Sequence, residues 1–245
     1  MEKITPKLRF DISGYYFVGL FALAILGFWP SYFAKFFNGT ADFNFYFHFH
    51  ATMMILWILM LIIQPILIRN KKLSLHRFIG KLSYLLFPVM LISIILIIHQ
   101  GRPAIDEKDL DLHLFGQFRP FIVFMTAYFI AIKYRHNVNI HARAMIATGV
   151  SIIEPALTRL VLNLFALFNV FETSEYFFYF ASIITISVIF SLLIGLIIKE
   201  RKQKKGTWVF PFVLCLYFIT YIVWIFQVHI GLESFAKWFV SLPLT

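Results

Sequence analysis

A single cysteine in 245 residues excludes a disulfide framework, a Cys-based zinc site and a C-x-x-C-H haem attachment. Charge is scarce: Asp, Glu, Lys and Arg make up 14% of the chain, against 60% hydrophobic residues. A soluble domain of this length needs far more polar surface, so the bilayer is the solvent for most side chains. Acids are scarcer than bases, 12 against 22, which leaves a net charge of +10. In a soluble protein that balance would point to nucleic acid. Here the basic connections of a membrane protein account for it, and no nucleic-acid partner is expected. Also missing are H-E-x-x-H, a P-loop, Gly-x-Ser-x-Gly and the paired His boxes of membrane desaturases. The N-terminus shows no short apolar run followed by small residues, so no cleaved signal is expected.

What is present is a series of apolar runs. They predict an all-α integral membrane bundle of seven transmembrane helices, read as one multi-pass domain over residues 1–245. The core is expected over residues 45–168, with spans two to five inside it, and peripheral spans at 15–33, 176–198 and 208–228. Within the core the spans fall near 45–68, 78–99, 120–132 and 144–168. Sixteen Lys and Arg residues gather at one end of the spans, on alternate connections, against five at the other, with Arg159 left aside. Among the sixteen are Arg9, Lys72, Arg77, Lys133 and Lys202; the five are Lys35, Arg102, Lys108, Arg119 and Lys237. Lys and Arg stay on the cytoplasmic side, so the N-terminus is expected inside and the C-terminus outside, in the inner (cytoplasmic) membrane. Phe235, Trp238 and Phe239 share one helical face and suggest a short helix in the outer interface, with a frayed tail as the alternative.

The second span carries His50, Met54, Trp57, Leu61 and Gln64 on one stripe. His and Gln are costly in hydrocarbon, so this stripe should face protein. His48 lies about 200° round the helix from His50 and reads as interfacial. In the fifth span, Glu154 and Arg159 lie near the middle of the bilayer, where charges need partners. Five residues separate them, a poor spacing for a direct pair, so a partner is expected on spans two to four. Ser83, Tyr84, Thr126 and Tyr128 are the candidates by depth.

Four histidines, His50, His76, His113 and His141, precede or open four consecutive spans. Alternating direction puts His50 and His113 near the outer face and His76 and His141 near the inner, where Lys72, Lys81 and Arg143 make these two read first as interfacial residues near lipid headgroups. Helices two apart in sequence can face each other across a four-helix core, and two imidazoles so placed can hold haem iron. His99, at the outer end of the third span, competes with His113 as the partner of His50. His136 and His229 read as solvent-facing.

Two stretches carry a resemblance. One runs from H-A-T-M-M at His50 through Gln64–Pro65 to L-H-R-F-I-G-K-L-S-Y at 75–84; the other is H-A-R-A-M-I-A-T at 141–148, with Arg159 downstream. Their order resembles a family of uncharacterised bacterial multi-pass membrane proteins with an HR-x-x-G-x-x-Y element and a later H-x-R-x-M helix, over about residues 48–162. The resemblance implies a shared four-helix core with His50, Gln64, His76, Arg77, Gly80, Tyr84, His141, Arg143 and Arg159 at matching positions. It implies no activity. In helix order alone, the histidines are also similar to those of four-helix membrane b-type cytochromes.

The leading expectation is haem b, or a similar redox cofactor, in the outer half of the core, for electron transfer or redox sensing. His50 with His113 or His99 would hold the iron, Arg159 would meet a propionate, Gln64 would border the site, and His76 with His141 would form a second pair. One alternative is a zinc-dependent intramembrane hydrolase drawing on His48 or His50, His99, His113 and Asp109 or Asp111. Another is a proton-coupled transporter built on Glu154 and Arg159, or a non-catalytic membrane assembly factor. Beyond the lipid bilayer, a membrane-protein partner or a homo-oligomer stays open.

Overall fold

The computed structural model describes residues 9–40, 44–104, 109–170, 175–203, 205–228 and 231–245. Lys3, Lys7, Asp42, Asp106, Glu107, Lys108, Glu172, Lys204 and His229 lie outside the described residues. The described chain is helical throughout: a 3-10 turn Phe10–Ile12, α1 Ser13–Gly27, a π turn Trp29–Phe33, α2 Ala34–Phe37, α3 Phe45–Arg69, α4 Leu73–Gln100, α5 Leu110–Lys133, α6 Val138–Phe168, α7 Glu175–Glu200, α8 Val209–Ile225 and α9 Glu233–Ser241.

Six helices are long and apolar enough to cross a membrane; α8, of 17 residues, is shorter. A helix of that length rises about 26 Å, at the lower limit of a span. The first expected span is broken: Trp29 and Pro30 open a π turn after Gly27. Two helices begin earlier than the apolar runs suggest. α4 starts at Leu73, so His76 lies in its first turn, and α5 starts at Leu110, which draws Arg119 into the helix. Side-chain oxygens of Asn44 and Asn137 accept backbone N–H bonds and start α3 and α6.

The hub of the bundle is α6. It packs against α1, α5, α7 and α8 and touches α3, so the spans expected to be peripheral share in the core. One apolar cluster joins α5 and α6 to α7 and α8 through residues such as Ala127, Ala147, Ile189, Leu193 and Tyr217. A second joins α1, α3, α4 and α5 around Trp57, Phe87, Phe124 and Tyr128, whose rings fill the space between α3, α4 and α5. The α1–α6 crossing is very close: a Cβ on Gly27 would collide with the Ala156 carbonyl oxygen. Asn163 ties the same crossing by donating to the Gly27 carbonyl at 2.8 Å. The short C-terminal helix α9 lies on α5, burying Ala236 and Phe239 against Ile98, Leu110 and Leu114.

Candidate functional site

The stripe on α3 faces protein. Trp57 and Leu61 are buried, Met54 packs on the same cluster, and both polar atoms of the Gln64 amide are shielded. His50 Nδ1 lies 3.3 Å from Ser93 Oγ on α4, and Ser93 gives its hydroxyl hydrogen to the Met90 carbonyl. Ser93 is thus the acceptor and His50 Nδ1–H the donor. About two turns deeper along α3, Trp57 packs edge-on against Phe124 and Tyr128 and fills the space between the helices.

The other outer histidines have separate surroundings. His113 is exposed on α5. His99 is buried at the end of α4, where Thr245 Oγ1 stands 2.7 Å from Nδ1, Arg102 donates to the same nitrogen at 3.1 Å, and Phe239 packs edge-on. His48 shares a 2.8 Å hydrogen bond with Tyr32. His136 is exposed. Among the described residues, no three His, Cys, Asp or Glu side chains gather into a group that could hold a metal ion.

At the basic end, His76 lies in the first turn of α4 and His141 in the first turn of α6. His76 lies within electrostatic reach of His141, and its ring approaches the Gln64 backbone carbonyl. His141 Nδ1 donates to the Ala131 carbonyl at 2.9 Å. His76 Nδ1 and both polar atoms of the Gln64 amide are buried without a hydrogen-bond partner. Gly80, one turn beyond His76, lies beside that amide: its missing Cβ would have only Gln64 Nε2 nearby, at 3.5 Å.

Glu154 and Arg159 part company. Arg159 is exposed, with its guanidinium 5.8 Å from the Phe28 ring centre. Of the candidate partners, Ser83 and Tyr128 bond each other at 3.0 Å, Tyr84 faces outward, and Thr126 is half-buried on α5. Glu154 instead pairs with Arg119 of α5, and Tyr221 of α8 donates to Glu154 Oε1 at 3.0 Å. The Arg119 guanidinium stacks 3.5 Å over the Tyr221 ring and lies 4.8 Å from the Trp224 ring centre. Gly116 admits this packing, since a Cβ there would come within 2.8 Å of Trp224 Nε1. Sequence reasoning placed Arg119 with the outer charges and α8 at the periphery. The available signal is that Arg119 sits one residue before the run 120–132, with the nine helical residues 110–118 ahead of it.

A second buried pair holds the basic end together. Arg143 Nε donates to both Glu200 oxygens at 2.9 Å, Nη1 to the Asn139 carbonyl at 2.6 Å and Nη2 to Gln203 at 2.8 Å. Glu200 closes α7, where the helix dipole disfavours a carboxylate, and Arg143 compensates.

No family model, no curated protein and no solved structure matches the chain.

Proposed function

We propose that this membrane-embedded protein carries haem b, or a related planar redox cofactor, between His76 and His141 at the basic end of the bundle. That end would face the cytoplasm, with the protein in the inner membrane. The observation that carries this reading is the place of the two imidazoles, each in the first turn of its helix, α4 and α6, at the same basic end of the bundle and close enough for His141 to act electrostatically on His76. His141 commits Nδ1 to a backbone carbonyl, which fixes the ring and leaves Nε2 as the ligating nitrogen. His76 keeps Nδ1 without a partner. Gly80 leaves a bare helix face one turn away, and the Gln64 amide beside it has polar atoms for a cofactor substituent. Arg77 and Lys81 neighbour the site in sequence and suit propionates at a headgroup boundary. Bound there, haem would supply one-electron chemistry, with the chain's role to hold and tune it.

The inner pair is preferred to the outer one because His113 is exposed and aromatic rings fill the space below His50. The test is the visible spectrum of protein purified from haem-supplied cells. A Soret band is expected in the wild type and in His50→Ala, and its loss in His76→Ala and His141→Ala. Absence of haem from folded wild type overturns the reading. Loss in His50→Ala with retention in His76→Ala returns the iron to the outer half.

A further inference from the structure

The Arg119–Glu154 constellation is independent of the histidine pair and is incompletely bonded. Arg119 and Glu154 are 5% and 4% exposed, in the interiors of two membrane-crossing helices. Arg119 Nε and Nη1, the Tyr217 hydroxyl and Glu154 Oε2 are all buried without hydrogen-bond partners. Unmet polar groups at such depth cost far more than exposed ones, so their persistence calls for an occupant. Donors outnumber acceptors: two guanidinium nitrogens and a hydroxyl stand against one carboxylate oxygen. The occupant must therefore bring acceptor oxygens.

We propose that this site binds a small aliphatic carboxylate together with one proton. The proton follows from charge. Arg119 and Glu154 already cancel, and a second carboxylate would leave a net negative charge in a low-dielectric interior. Protonation of Glu154 restores neutrality. Its acid hydrogen then points to the incoming carboxylate, and Arg119 turns from Glu154 to the ligand. No covalent bond changes except that Glu154 gains a proton from solvent. The other ionisable groups at this level are Arg119 on α5 and Tyr217 and Tyr221 on α8; α7 contributes the neutral Ser182 and Thr185, and α1 the apolar turn that ends at Gly27 beside Ala156.

Access also favours an aliphatic acid. A crevice between α7 and α8, with room as it stands for about one water molecule, is lined by Tyr179, Ser182, Ile183, Ile186, Tyr221 and Trp224, so a longer ligand enters only if Trp224 moves. Tyr221 and Trp224 are its inner wall and also the rings that stack on Arg119. Rotation of Trp224 would join crevice and charge, placing the hydrocarbon tail beside Ile183 and Ile186.

The test is isothermal titration of hexanoate into protein in lipid nanodiscs, with empty nanodiscs subtracted, in two buffers of different ionisation enthalpy. Saturable binding with uptake of about one proton per ligand is expected from linkage. Glu154→Gln should bind without proton uptake. Arg119→Gln alone leaves Glu154 unpaired, so the double variant Arg119→Gln/Glu154→Gln is the folding-safe control, and it should bind at least tenfold more weakly. Wild type without saturable binding means the donors are met by water alone and overturns the proposal. So does full affinity in a folded double variant, or proton uptake that persists in Glu154→Gln.

Discussion

At the residue scale, two buried Arg–Glu pairs differ in how completely they are bonded. Every nitrogen of Arg143 has an acceptor, two of them in the chain that links α7 to α8 and in α6 itself. Arg119 has one nitrogen engaged with Glu154 and two without partners. The first arrangement is a clasp and the second a site. The clasp makes a stability prediction. Arg143→Gln leaves Glu200 buried and uncompensated, and should cost about 3–5 kcal/mol. Replacing both partners, Arg143→Met with Glu200→Leu, should cost clearly less. Thermal unfolding in detergent, followed by the helical circular dichroism signal, checks the order. Equal losses in the two variants would show that the charge pairing is not what holds α6 to α7. Gly206 belongs to the same clasp, with φ +75° and an absent Cβ only 3.1 Å from Arg143 Nη1. A Gly206→Ala change is both strained and crowded there.

At the element scale, close helix contact is set by small residues. The crossing of α1 and α6 depends on Gly27, whose Cβ would collide with the Ala156 carbonyl. Gly27→Val should push the helices apart and cost about 1–3 kcal/mol, as overpacking usually does. A Val variant as stable as wild type would mean that α1 is not docked as described. The C-terminal helix α9 makes a different prediction. It holds Phe239 on His99, while Tyr46 donates to the Leu244 carbonyl at 3.0 Å and Thr245 meets His99. Removing residues 232–245 should uncover the ends of α4 and α5, lower the unfolding midpoint and speed hydrogen exchange near Ile98 and Leu114. Unchanged exchange at those amides would show that α9 merely rests on the bundle.

At the scale of the whole molecule, six long spans and the shorter α8 cross an odd number of times if α8 spans fully. The Lys and Arg distribution then predicts that the basic end faces inside. A periplasmic-type reporter fused after Thr245 should be active outside the cell, and the same reporter after Lys202 should be silent. The reverse pattern would invert the molecule and move the His76–His141 pair to the other face.

What the sequence by itself determined are the properties that follow from neighbours along the chain. Hydropathy marks the spans, although Trp29–Pro30 breaks the first and α5 begins ten residues early. Helical periodicity predicts the inward stripe from His50 to Gln64, because 3.6 residues per turn is a local rule. The same local rule separates Glu154 from Arg159. Partner choice is not local. Arg119 lies 35 residues from Glu154 and Tyr221 lies 67 from it, and no periodicity links them. The histidines show the same limit: alternation puts His50 with His113 and His76 with His141 at common depths, but helix rotation decides which rings meet. Only the packing of α6 against four other helices settled which buried charges are complete and which still lack a partner, because a polar group's satisfaction depends on atoms brought from distant parts of the chain.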